Sequence, residues 1–368
     1  MRIADIAAAI ESWAPPWIAW ERDNVGLQVG DPAAPARRIL LTLDVTDEVV
    51  REAVRRRVDL IVTHHPLLFR PAKAIVASDA VGRLVLYLAR KRIALYAAHT
   101  NLDFTKGGVS FTLAHTLGLK EVRFLAPLTG LLAKIVVFVP AGHVSSVRTA
   151  MARAGAGIIG EYDECSFEVS GRGSFRASKL ARPFIGTKGT LEFANEARLE
   201  MIAPRALVNT IVEAMKRVHP YDEVACDVVP VENESPQYGM GAVGTLEKTE
   251  SISSFLTRVK LRLGAERVRY VAGRTKTIRT VAVCGGSGSD SLSDAIRARA
   301  DAFVTADVRY HTFHDADGRI ALIDAGHWET EHAVLPEVRK RLLNAAAAAR
   351  QRVEVFIARR STNPVHSN

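Results

Sequence analysis

The chain predicts an α/β protein in which mixed sheets carry helices on both faces and a smaller unit is inserted between the two halves. Three observations support this. Short apolar, β-branched runs alternate with amphipathic stretches up to about residue 126 and again after residue 238, the pattern of repeated βα units. Between them the order changes to strand, helix, two strands, helix, strand, which is the ferredoxin-like βαββαβ unit. Side chains able to hold a metal ion also follow directly on three strand-like runs, at the carboxyl edge where open α/β sheets bind ligands. The expected organisation is 1–126 as the first half of a discontinuous metal-binding domain, 127–238 as the insert, and 239–368 as the second half.

From the amino terminus, Met1–Glu11 reads as an amphipathic helix interrupted by acids. It does not read as a basic segment followed by an unbroken apolar stretch, so no secretion signal and a cytoplasmic location are expected. No apolar run approaches the roughly 20 residues that cross a bilayer, so no membrane partner is expected. Asp59–Thr63 has the length and branching of a buried strand, and Pro66 biases His65 toward extended or turn backbone. Neighbouring side chains leave an extended backbone on opposite sides, so His64 and His65 fit two ions more easily than one. Ile93–Ala98 is a second such run and brings His99, Asn101 and Asp103 to its end.

The insert begins with the run Lys134–Pro140, followed by a helix at 144–154, two Gly- and Ser-rich strands, a helix at 204–218 and a strand ending near Val231. Within it His219 and Glu223 are spaced like ligands. Pro220 undermines a regular helix there, so a turn into the last strand is expected, with a ligand cleft beside the metals as the functional alternative. Asn233–Gln237 is polar and suited to a linker. Beyond it, Cys284-Gly285-Gly286-Ser287-Gly288 sits in a strand-turn-helix context. That turn either reverses the chain or offers backbone amides to an oxyanion or phosphate. Ile320–Ile323 is a further strand, Gly326 ends it, and a helix opens near His327. Residues four apart share a helix face, so His327 and Glu331 point into one space while Glu329 and His332 turn away.

Neutral imidazole with carboxylate suits zinc, iron, manganese or nickel, and the absence of thiolate argues against a structural zinc knuckle or an iron–sulfur cluster. Any one of these histidines alone would more often be a hydrogen-bonded structural residue; convergence of three segments is what favours metal. His115, His143 and His366 lack such context. The three cysteines, Cys165, Cys226 and Cys284, have no metal-like spacing and read as free thiols in a reducing compartment. A net charge of +9, with the runs Arg55–Arg57 and Arg339–Arg341, invites a nucleic-acid reading. Both runs fit solvated helix faces better, although a positive exterior would also draw a nucleotide toward the site.

Taken together, Thr63-His64-His65-Pro66-Leu67, His99-Thr100-Asn101-Leu102-Asp103, Asp23-Asn24-Val25-Gly26-Leu27-Gln28-Val29-Gly30, Val283–Gly288 and Asp324–Glu331 resemble the Nif-three-like dinuclear metal-centre family, also labelled GTP cyclohydrolase 1 type 2 homologues. The resemblance spans almost the whole chain. It implies that His65 and Asp103 bind one ion, that His64 and His327 bind the other, and that Glu331 bridges both. It also implies a PII-like insert and a toroidal homohexamer. Ser110 stands where the family usually has Asn. Two bridged divalent ions can acidify a shared water and polarise a substrate, so a hydrolase acting on a nucleotide or related phosphorylated compound is expected, with His99 as general acid or base. The alternative is a non-catalytic metal-binding regulatory or scaffold hexamer, or a nucleic-acid-binding ring.

Overall fold

The computed structural model describes residues 1–366 of the chain. It divides into two compact units, Met1–Ala126 with Gln237–Asn368 and Pro127–Pro236.

The larger unit holds two mixed sheets. The first contains β1 (Gly26–Val29), β2 (Arg38–Thr42), β3 (Leu60–Thr63) and β4 (Ala94–Ala97), joined by β15 (Glu354–Ile357) from the far end of the chain, in the order β1-β4-β3-β2-β15. β15, β2, β3 and β4 are parallel, and β1 lies antiparallel on β4. Strand residues divide between two cores because successive side chains leave opposite faces. Ile39, Leu41, Leu60 and Val62 meet Ile6, Val338 and Leu342, whereas Leu40, Ile61 and Leu95 meet Val49, Leu84 and Leu88. A strand buried on both faces has no polar alternation, which is why these strands read as unbroken apolar runs.

The second sheet contains β5 (Lys120–Pro127), β10 (Gly239–Ser251), β11 (Arg269–Val271), β12 (Thr277–Val283), β13 (Ala302–Thr305) and β14 (Ala321–Asp324), in the order β11-β14-β13-β12-β10-β5. β12, β13 and β14 are parallel, with β10 and β11 antiparallel beside them. Val281, Val304 and Ile323 pack against Phe255 and Val259 on one face, and Ala282, Phe303 and Leu322 pack against Leu292, Ala295 and Ala316 on the other.

The two sequence halves interlace. The helix Val334–Ala348 and β15 belong to the first sheet's layers although they follow the whole second sheet in sequence. The basic runs take part in this closure. Arg56 pairs with Glu52 at 2.8 Å and stacks over Phe356, Arg339 donates from Nε to the Val355 carbonyl, and Arg341 covers Trp13 while pairing with Glu337. They are packing side chains as well as surface charge.

In the smaller unit, β6 (Leu132–Pro140), β7 (Phe167–Arg176), β8 (Leu191–Pro204) and β9 (Cys226–Val231) form an antiparallel sheet ordered β7-β8-β6-β9. The helices Val144–Arg153 and Val208–Val218 contribute Val147, Met151, Ile211 and Met215 to a core with Ile135, Val137, Leu199 and Met201. Among the described residues no helix is long and apolar enough to cross a membrane.

Candidate metal centre

The three parallel strands in the middle of each sheet end in polar side chains. Asp44 lies just beyond β2, His64 and His65 follow β3, and His99 lies just beyond β4, opening the turn Thr100–Asp103. In the second sheet Gly285 and Gly286 lie just beyond β12, Asp307 beyond β13, and Gly326 beyond β14 opens the short helix His327–Glu331. Parallel pairing continues past β3, with His64 N donating to the Thr42 carbonyl at 3.1 Å and His65 N to the Leu43 carbonyl at 2.9 Å, so both imidazoles start from fixed backbone.

The side chains converge. His65 Nε2 lies 3.0 Å from Glu331 Oε2 and 3.3 Å from His327 Nε2, and His327 Nε2 lies 3.1 Å from Glu331 Oε1. His64 Nε2 lies 3.6 Å from Asp103 Oδ1 and 3.7 Å from Glu331 Oε1. Ligand atoms of His65, His327 and Glu331 all fall within 4.8 Å of one another, and so do those of His64, His65 and His99. The short contacts therefore set His64 beside Asp103 and His65 beside His327, with Glu331 reaching both groups. The resemblance pairs them the other way around the ions, His65 with Asp103 and His64 with His327. Adjacent histidines do leave the strand end in different directions, but sequence gives no means of knowing which one faces the second sheet.

The outer nitrogen of each imidazole is occupied. His65 Nδ1 meets Asp44 Oδ1 at 2.8 Å, His327 Nδ1 meets Asp307 Oδ2 at 2.6 Å, His99 Nδ1 meets Asp23 Oδ1 at 2.9 Å, and His64 Nδ1 meets the Ala98 carbonyl at 2.8 Å. An acceptor on Nδ1 fixes the tautomer with a bare Nε2, the arrangement that surrounds histidine ligands of metals. Asp44, Asp307 and Asp23 were not identified from the sequence as candidates, although Asp44 and Asp307 each lie two residues past a strand of the same type. Asp44 is held in turn by the Thr362 hydroxyl, 2.7 Å away.

Charge accumulates in a buried place. Burial disfavours the imidazolium of His65, but Asp44 and Glu331 outweigh it and raise its pKa to about 10. His327 is raised to about 9 by Glu331 and Asp307 against the same burial cost. Burial pushes the Glu331 carboxyl up, yet the surrounding His64, His327 and His65 hold it well below its usual range. Asp103 is raised, chiefly by burial. Three buried atoms, His64 Nε2, Asp103 Oδ1 and Glu331 Oε2, have no hydrogen-bond partner. A buried polar atom left unpaired costs about 1–3 kcal/mol, so three in one cluster need a common partner, and a cation suits a set of bare nitrogens and carboxylates.

The three glycine amides of the turn are held by hydroxyls of the chain. Gly285 N donates to Ser110 Oγ at 3.3 Å, Gly286 N to Thr330 Oγ1 at 3.0 Å and Gly288 N to Thr305 Oγ1 at 3.0 Å. These bonds favour the chain-reversal reading of the turn. Ser110, the departure from the family pattern, is thus a buried acceptor that helps anchor the turn. Burial pushes the neighbouring Cys284 thiol up to about 12. Its alkylation by iodoacetamide at pH 8 is accordingly expected to be at least tenfold slower in the folded protein than after unfolding, read by mass spectrometry of the Cys284 peptide.

His219 forms a turn, not half of a ligand pair. Its Nε2 faces the Phe138 carbonyl at 3.1 Å and its Nδ1 accepts from Tyr221 N at 3.1 Å, which leaves no free nitrogen. Glu329, turned outward, accepts from Asn363, and His332 stacks on Trp328.

Residues 1–364 match the family model described as Duf34/NIF3 (NGG1p interacting factor 3). The chain is 39% identical over 370 residues to the GTP cyclohydrolase 1 type 2 homolog of Halalkalibacterium halodurans, covering 99% of both proteins, and 39% identical over 361 residues to that of Bacillus subtilis, covering 98% of this chain and 96% of the relative. Among solved structures it resembles the Bacillus cereus protein related to NIF3, at 37% identity and TM-score 0.86, covering 100% of this chain and 99% of the other. It also resembles Staphylococcus aureus protein SA1388, at 26% identity and TM-score 0.83 with the same coverage. The chain belongs to the Duf34/NIF3 family.

Proposed function

We propose that the chain holds two divalent ions and uses them to hydrolyse a nucleotide or a related phosphorylated compound. In this reading His64 and Asp103 serve one ion, His65 and His327 the other, and Glu331 both. The observation that carries it is the set of three unpartnered buried atoms on His64, Asp103 and Glu331, grouped with imidazoles whose outer nitrogens are already fixed. Two bound ions would supply Lewis acidity and a water activated near neutral pH. Zinc, iron and manganese suit the donor set.

The protein's own groups supply the rest. Asp44 and Asp307 keep the Nε2 atoms of His65 and His327 bare and aimed inward. His99, oriented by Asp23 and grouped with His64 and His65, is placed to move a proton at its ring nitrogen. Five protein side chains shared between two ions leave coordination positions open, which favours catalysis over a closed structural site. The name of the relatives in Halalkalibacterium halodurans and Bacillus subtilis, GTP cyclohydrolase 1 type 2 homolog, supports a purine nucleotide as substrate. The strand order of the smaller unit supports reading it as ferredoxin-like and PII-like, and family membership is the basis for reading the assembly as a homohexamer.

The test is a hydrolase screen of nucleotides and phosphoesters with the wild type beside His65→Ala and Glu331→Ala. Turnover of at least one substrate is expected, lost at least a hundredfold in both variants. Equal turnover in all three proteins would remove the catalytic reading and leave the metal-holding scaffold. A finer test addresses the outer carboxylates. Asp44→Asn and Asp307→Asn are each expected to weaken metal binding by about 10- to 100-fold while leaving the circular dichroism spectrum unchanged.

A further inference from the structure

The Asp23–Gly30 segment contributes more than the carboxylate on His99. Asn24 donates from Nδ2 to the Leu68 carbonyl, and Gln28 Oε1 accepts from Leu68 N at 3.1 Å. Gln28 Nε2 then donates to the Asn24 carbonyl at 2.9 Å, closing the clamp on itself. Both backbone polar groups of one loop residue are thus taken by two amide side chains. A surface loop would ordinarily leave those groups to water, and immobilising a glutamine costs rotamer freedom, so the clamp implies that the position of this loop matters.

The residue delivered by the clamp is Phe69. Its side chain is 50% exposed, and its ring stands at 86° to the His99 ring with centroids 6.0 Å apart. His99 belongs to the His64 and His65 group, so a half-exposed aromatic ring, next in sequence to the clamped Leu68, stands at the rim of a cluster made otherwise of imidazoles and carboxylates. An isolated exposed apolar residue needs no explanation, but one that follows directly on a residue clamped at both its N–H and its carbonyl, beside a polar site, does. An aromatic face in that position can stack a planar heterocycle while the polar cluster handles the atoms to be transformed.

We propose that Phe69 is the stacking platform for the purine ring of the substrate, and that Asn24 and Gln28 are positioning residues that hold it there. The inference rests on the nucleotide reading above and adds which residue recognises the base. It is tested on the full-length, metal-loaded protein by isothermal titration with GMP and with ribose 5-phosphate, which lacks the base, while the metal content of each sample is measured by mass spectrometry.

The wild type is expected to bind GMP at least about tenfold more tightly than ribose 5-phosphate, the scale of one base–aromatic stack. Phe69→Ala is expected to lose that preference with ribose 5-phosphate affinity and metal content unchanged, and Phe69→Trp to keep it. Gln28→Ala is expected to lower the preference without altering metal content, which a merely structural role would not do. Equal binding of the two probes by the wild type, or a preference that survives Phe69→Ala, would overturn the proposal. If the wild type holds no metal, the metal-hydrolase reading fails by itself, and the base preference of the metal-free protein still decides the role of Phe69.

Discussion

Glu331→Gln is expected to abolish stoichiometric metal binding, with an affinity loss well over a hundredfold, measured by equilibrium dialysis and elemental analysis. The expectation follows from position and charge together. Glu331 lies 3.0 Å from His65 and 3.1 Å from His327, and 3.7 Å from His64, so among the described residues it is the acid that pairs with both histidine groups. Losing an outer partner of a ligand costs about 10- to 100-fold in metal affinity, and losing a shared negative ligand costs more. Glutamine keeps the shape, so the fold is expected to survive, and the loss would report charge and not collapse. In the metal-free protein the substitution also removes one of the two acids that raise each of His65 and His327, alongside Asp44 and Asp307, leaving both weaker bases.

Gly286→Ala is expected to be nearly as damaging to the site, although position 286 carries no donor atom. Its φ of +60° lies in the left-handed region, where a side chain costs about 1–2 kcal/mol. The added Cβ would fall 2.1 Å from Glu331 Oε1 and 3.2 Å from His327 Nε2. Glu331 is buried, and the turn is tethered by Gly286 N to Thr330 and Gly288 N to Thr305, so relief of the clash falls on the cluster itself. Something in the cluster must shift, and a displacement of that size removes it from coordinating distance. The expected result is at least a tenfold loss of metal affinity with a modest drop in melting temperature, measured side by side by metal titration and thermal unfolding.

These two residues mark what sequence reveals and what it does not. The strands β3, β4 and β14 were legible because burial on both faces demands unbroken apolar runs, and His327 with Glu331 was legible because helical spacing places them on one face. The βαββαβ order of the smaller unit was legible for the same periodic reasons. The orientation of His64 relative to His65 was not, since it depends on which face of β3 meets the second sheet. Asp44 and Asp307 escaped notice because a lone Asp after a strand ordinarily caps a turn. Only the fold sets these residues against imidazoles 21 and 20 positions away. The tethering of the turn at Gly285–Gly288 was not legible, because the hydroxyls of Ser110, Thr305 and Thr330 that hold its glycine amides come from elsewhere in the chain. The return of β15 to the first sheet leaves no local trace in the sequence at all.

The central claim, that imidazoles and acids from both ends of the chain clasp a pair of cations, is tested most directly by metal stoichiometry. Protein stripped with a chelator, reloaded with zinc, iron or manganese and dialysed is predicted to retain two ions per chain in the wild type and fewer than one in Glu331→Gln. Retention of no ion above background by the wild type, or of two by the variant, would contradict it.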